Sequence, residues 1–150
     1  MSGEIKSLPS AVYESLKSQY QIPSVVRITS KEDILQVKQV TDLSKKDQEH
    51  FITISLNTAC DIIKVRTTTI GLLNHSLVHP REVFRNAIKD NAHSIICVHN
   101  HPTGSLIPSD PDIKITTQLK NAGEILGIQV LDHIIISKNG ISSMRETGYI

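Results

Sequence analysis

The chain has 150 residues, enough for one domain with a sizeable core, and its 39% hydrophobic content is ordinary for a globular protein. Sixteen Lys and Arg against fifteen Asp and Glu give a formal net charge of +1, so there is no global basic footprint for DNA. Aromatic residues make up only 3% with no Trp, which argues against a base-stacking platform for single strands.

Residues 1–22 read as an N-terminal leader with a helix near 10–20, and a break at 21–23 precedes a single domain over 23–150. The start lacks an apolar signal core, and no stretch approaches membrane-spanning length. Residues 25–29 read as a strand, and Ser30 caps a helix running to about residue 43. Residues 42–48 form a polar loop. The next strand, 51–56, alternates Phe51, Thr53 and Ser55 on one face with Ile52, Ile54 and Leu56 on the other. Residues 57–60 turn it into a partner strand at 62–69, and 71–79 is a connection.

Pro80 opens a helix with Val83, Phe84, Ala87 and Ile88 on one face. The short apolar run 94–98 reads as a buried strand. A helix over about 110–126 is expected to bury Ile115, Leu119, Ala122 and Leu126, with Gly127 as its stop. A long apolar strand at 128–137 then turns at Asn139-Gly140 into 141–144. Cys60 and Cys97 form no C-x-x-C pair and read as reduced, buried thiols, so the expected compartment is the cytoplasm.

The most informative stretch follows the 94–98 run. His99-Asn100-His101-Pro102-Thr103-Gly104, then Ser109 and Asp112, has the form H-x-H-x7-S-x-x-D. Side chains alternate along a strand, so His99 and His101 share a side and Asn100 takes the other. Two imidazoles so placed can reach one metal ion where the strand ends. Pro102 and Gly104 turn the chain, and Pro111 suits the first turn of the following helix. Asp112 in that turn can swing back as a third ligand, leaving a fourth position for water as catalytic zinc requires. The plainer interpretation of Ser109-x-x-Asp112 is a helix-capping box. It accounts for two residues but not for the histidine pair, and the two roles are compatible.

This pattern resembles the JAMM (MPN+) metalloprotease motif. The wider runs SLVHPREVFRNAIKDNAHSIICVHNHPTG and PSDPDIKITTQLKNAGEILGIQVLDHIIIS closely resemble the RadC branch of that superfamily, over roughly residues 24–150. The resemblance implies an α/β (α+β) fold of JAB/MPN type: a mixed β-sheet flanked by helices, with a zinc site at the sheet edge. It implies His99, His101 and Asp112 as ligands of Zn2+, Ser109 as a stabiliser of the oxyanion and Glu49, upstream at the mouth of the 51–56 strand, as general base. Glu82 and Glu124 are weaker candidates for the base, since each fits an exposed helix face.

The sequence departs from the family pattern in two places. Full-length RadC proteins usually carry an N-terminal helix-hairpin-helix region, for which this chain has no room. The usual H-P-S-G-D-P is here His101-Pro102-Thr103-Gly104-Ser105-Leu106, which alters the loop beside the site and bears on substrate preference more than on metal binding. The letters H-N-H also occur in HNH nucleases, but the surrounding pattern does not fit those.

The remaining histidines have no partner at metal spacing. His50, His75, His79 and His93 read as surface or turn residues. His133, next to Asp132, reads as a hydrogen-bonded strand histidine, with a role behind the zinc as the alternative, since the family has the same Asp-His pair. The implied activity is hydrolysis of an amide or isopeptide bond in a protein or peptide, with water activated by zinc. A DNA-repair-associated nuclease and a non-catalytic MPN binding module are the competing readings. The weak charge argues against the first, and the complete ligand set against the second.

Overall fold

The computed structural model describes residues 9–12, 15, 25–71 and 78–150. Most of the leader expected at 1–22, the break at 21–23, His75 and most of the 71–79 connection therefore lie outside the described residues.

Five strands form one mixed sheet: β1 (His50–Leu56), β2 (Ile62–Ile70), β3 (Ser94–Asn100), β4 (Gln129–Ser137) and β5 (Gly140–Ser143), in the spatial order β2-β1-β3-β4-β5. All neighbours are antiparallel except β3 and β4, which are parallel and need a crossover. Among the described residues from 25 onward, the α-helices are α1 (Lys38–Thr41), α2 (Pro80–Lys89) and α3 (Asp110–Leu126), and α3 is that crossover.

β3 is the middle strand and is buried along its whole length. A strand covered on both faces reads as a continuous apolar run, as 94–98 does. On one face, Ile52, Ile54, Leu56, Ile96, Val98, Ile134 and Ile136 pack against Ile34, Val37, Val40 and Leu43. On the other, Phe51, Ile95 and Cys97 pack under Val83, Phe84 and Ala87 of α2 and Ile115 and Leu119 of α3. The alternation expected at 51–56 thus sorts its residues as read.

Four local expectations are corrected. Residues 25–29 are not a strand but form one isolated bridge, Arg27 to Asp61, supported by the ion pair of those side chains at 2.9 Å. The single helix expected from 30 to 43 is a 3-10 turn (Lys31–Gln36), α1, and a second 3-10 turn (Asp42–Lys45), which also takes part of the expected loop. The reason is the spacing of its buried residues. Ile34, Val37, Val40 and Leu43 recur every third position, which matches a three-residue turn better than 3.6. Ile88 and Leu126 are exposed at 57% and 48%, since each lies in the last turn of its helix beyond the cover of the sheet. Cys60 is half-buried in the β1–β2 turn with φ 61°, so only Cys97 is the buried thiol expected.

α3 ends as expected at Gly127, whose φ of 71° suits a residue without Cβ. Gly123 is needed for another reason: a Cβ there would stand 2.4 Å from the Ile128 carbonyl oxygen and 3.2 Å from Phe84 Cζ. That close approach lets α3 turn directly back into β4.

Candidate metal centre

β3 delivers His99 and His101 to the same side at the end of the strands, with β1 and β4 on either hand. The His101 amide donates to the Ile136 carbonyl at 3.0 Å, and the Gly104 amide closes the turn back onto the His101 carbonyl at 3.1 Å. The Gly104 carbonyl accepts from Ser137 Oγ and Asn139 Nδ2 at 3.0 and 2.8 Å, which ties this turn to the end of β4. Chain direction then reverses through Ser109 into α3.

Ser109 is the N-cap of α3, with its Oγ accepting from the Asp112 amide at 3.2 Å. Asp112 Oδ2 accepts from the Ser109 amide at 2.8 Å, so the capping box is closed in both directions. The same carboxylate faces the histidines. His101 Nε2 lies 3.0 Å from Oδ2, His99 Nε2 lies 3.2 Å from Oδ1, and the two Nε2 atoms are 2.9 Å apart. One side chain therefore closes the capping box and also faces both histidines.

These three side chains are nearly dry: His99 is 0%, Asp112 2% and His101 9% exposed. Burial works to raise the Asp112 carboxyl, but the imidazoles facing it, His101 first and then His99, outweigh that and hold it well below the usual carboxylate range. His101 is shifted upward, chiefly by its hydrogen bond to Asp112, with burial opposing and the charge of Glu49 assisting. His101 Nδ1 points at the Ser105 carbonyl oxygen, 3.0 Å away. A carbonyl only accepts, so Nδ1 carries a hydrogen and Nε2 is left to meet a cation, either a proton or a metal.

A metal fits this group. The ligand atoms of His99, His101 and Asp112 all lie within 4.8 Å of one another and can hold one ion. Their separations approach the roughly 3.3 Å expected between ligands of a tetrahedral zinc. Two imidazoles and a carboxylate also suit other first-row ions, so the donor set alone does not select zinc.

Glu49 precedes β1 and is half-buried. Its main chain is gripped from three sides. Asn100 Oδ1 accepts from the His50 amide at 2.6 Å, Asn100 Nδ2 donates to the Gln48 carbonyl at 2.9 Å, and the Gly71 amide donates to the Glu49 carbonyl at 2.8 Å. Asn100 itself is buried, on the side of β3 opposite the histidines. Glu82 and Glu124 lie on exposed helix faces, as expected.

Asp132 and His133 divide their work because neighbours on a strand face opposite ways. Asp132 accepts from Ser143 Oγ at 2.5 Å and from the Arg145 amide at 3.1 Å, holding the end of β5 rather than the metal group. His133 lies directly behind His99, with Nε2 at 2.7 Å from His99 Nδ1, and its Nδ1 is 2.5 Å from Thr116 Oγ1. Burial, then the neighbouring His99, pushes His133 well below the usual imidazole range, so it is neutral at pH 7. Phe51 stacks on His99 at 6.5 Å and meets His133 edge-on at 5.4 Å. His79 is the exposed N-cap of α2, and His93 is exposed as well.

Thr116 and the clamping role of Asn100 were not read from the sequence. Thr116 stands four residues after Asp112, hence on the same helix face, and that spacing was a usable signal. Asn100 is a polar residue at the end of an apolar run, which calls for partners once buried.

A family model described as RadC-like JAB domain matches residues 28–149. A UPF0758 protein of Methanospirillum hungatei JF-1 is 56% identical over 125 residues, covering 83% of this chain and 56% of that protein. One from Bacillus licheniformis is 50% identical over 109 residues, covering 73% and 49%, and one from Shouchella clausii is 46% identical over 122 residues, covering 81% and 53%. The chain thus spans about half the length of the curated relatives it matches. Among the described residues, no helix is long and apolar enough to cross a membrane.

Proposed function

Because this chain belongs to the RadC-like JAB domain family, we propose that it is a zinc-dependent hydrolase that cleaves an amide or isopeptide bond in a protein or peptide. The observation that carries the reading is the convergence of His99, His101 and Asp112 in one buried cluster. A zinc ion held by these three side chains would supply Lewis acidity and bring the pKa of a water close to neutrality.

The chain's own residues do the rest. Asp112 stays ionised and is held by the first turn of α3, so it offers a fixed anionic ligand. Glu49, on a clamped main chain at the mouth of β1, takes the proton of the attacking water and returns it to the leaving amine. Ser109 Oγ accepts from the Asp112 amide, which leaves its hydroxyl hydrogen to donate to the developing oxyanion. Free Cys60 and Cys97 fit a reducing compartment, and we place the protein in the cytoplasm.

The test has two parts. Elemental analysis of the purified protein should give about one zinc per chain, and a His99→Ala/His101→Ala variant should hold none. Zinc retained in full by that variant rejects the site. Glu49→Gln should keep zinc and lose on the order of 10²–10⁴-fold in hydrolysis. The panel should include peptides, isopeptide-linked proteins and DNA, and cleavage of DNA alone would replace the peptidase reading with a nuclease.

A further inference from the structure

We infer that Thr116 and His133 form a positioning relay that fixes the tautomer of His99, leaving its Nε2 bare for a metal. The inference rests on the metal reading above, and it follows from counting hydrogens along a buried chain of contacts.

The chain begins at the main chain of Asp112. Thr116 Oγ1 lies 2.7 Å from the Asp112 carbonyl oxygen. Two oxygens that close need a hydrogen between them, and a carbonyl has none to give, so the single hydroxyl hydrogen of Thr116 is committed there. Met144 Sδ, 3.6 Å from the same hydroxyl, is too weak and distant to compete for it. Thr116 can then only accept from His133 Nδ1, 2.5 Å away, which must carry a hydrogen. His133 is fully buried against Thr116, His99 and Phe51, with no carboxylate among these contacts, so burial keeps it to one ring hydrogen and leaves Nε2 a bare acceptor. It lies 2.7 Å from His99 Nδ1, which must donate. His99 is left with a bare Nε2, aimed at His101 Nε2 and Asp112.

Burial removes the alternatives. Thr116 is 1% exposed, and His133 and His99 are 0%, so solvent cannot satisfy a reversed chain. Reversal would put a hydrogen on His99 Nε2 and leave the Thr116 and Asp112 oxygens in contact without one. Phe51 lies flat along His99 and edge-on to His133, which hinders either ring from turning. The relay therefore runs from the main chain of one ligand residue, in the first turn of α3, to the ring of another on β3. Its acceptor is a neutral imidazole rather than a carboxylate, so it orients His99 without adding charge.

The experiment uses the full chain, stripped of metal by chelator and labelled with 15N in histidine. Long-range 1H–15N spectra report which nitrogen of each ring is protonated. The expected result is hydrogen on Nδ1 of both His99 and His133 in the wild type. His99 found with hydrogen on Nε2 and none on Nδ1 overturns the relay, and this measurement needs no variant. Thr116→Val keeps the side-chain shape without the hydroxyl. It should mix the His99 tautomers and weaken zinc binding about 10–100-fold in chelator competition. Thr116→Ser should restore both. A folded Thr116→Val that binds zinc as tightly as wild type also overturns the relay. A wild type that takes up no zinc overturns the metal reading instead, and the tautomer spectrum still decides the relay.

Discussion

Ser30-x-x-Asp33 and Ser109-x-x-Asp112 are the same four-residue signal with different fates. Asp33 is solvated and accepts from Thr29 Oγ1 and from the Thr29 and Ser30 amides at 2.7, 2.7 and 3.0 Å. It starts a six-residue 3-10 turn and accepts from Gln36 Nε2 at 3.4 Å within that turn. Asp112 starts a 17-residue helix and divides its carboxylate between a cap and two histidines. The local motif is shared; the difference comes from what the fold brings opposite. Asp112 faces the end of β3, whereas Asp33 faces water.

The largest contrast should appear in metal binding. Asp112→Ala should lose more than about 100-fold in zinc affinity, beyond the range for residues that only support a ligand. Asp33→Ala should bind zinc as the wild type does. Chelator competition on both proteins measures this, and equal affinities would remove Asp112 from the ligand set.

The next contrast lies in the helices themselves. α3 can run its full length into β4 because Gly123 lets the Ile128 main chain pass close by. Gly123→Ala should cost about 1–3 kcal/mol through overpacking, read from denaturant melts of the metal-free protein. An unchanged melting midpoint would mean that α3 can shift to make room.

A smaller effect isolates the cap. Ser109→Ala should cost about 1 kcal/mol in the metal-free protein while zinc binding persists, because Ser109 holds the Asp112 amide rather than the ion. Loss of zinc without loss of stability would give Ser109 a different role.

The smallest effect is a pH dependence at Asp33. Hydrogen bonds from Thr29, side chain first and then amide, hold its carboxyl below the ordinary 3.8. A depressed carboxyl contributes stability that is fully present above that ordinary value and is lost as pH falls through the lower folded one. Melts of the metal-free wild type and Asp33→Asn should therefore differ at pH 6 and converge as pH falls below about 4. A constant difference would show that the charge is not what matters at Asp33.

Where pattern and burial agree, the sequence was a sufficient guide. The 51–56 alternation, the buried 94–98 run and α3 with its Pro111 start and Gly127 stop all came from local signals. The histidine pair and Asp112 were readable because strand alternation and a helix start are themselves local. The failures were longer in range or finer in period. Ile34, Val37, Val40 and Leu43 look helical until their spacing of three is weighed against 3.6. Residues 25–29 were read as a strand, but their pairing is limited to one bridge, with Asp61 far along the chain. His133 is the hydrogen-bonded strand histidine expected, but its partners, like those of Thr116 and Asn100, come from the fold and the sheet register, such as Cys97 opposite His133 and Phe51 opposite His99.

Cys97 lies on the middle strand, two residues before His99, and is fully buried. Burial, with a small contribution from Asp132, pushes its thiol up to about 12, so almost no thiolate forms in the native protein at neutral pH. Cys60 is only half-buried, in the β1–β2 turn. The chain therefore carries its own pair of chemical clocks. An alkylating reagent should mark Cys60 at a rate set by the surface, and Cys97 only when the centre of the sheet opens. The delay between the two marks, followed by mass spectrometry with and without added zinc, would time the opening of the strand that carries the histidines.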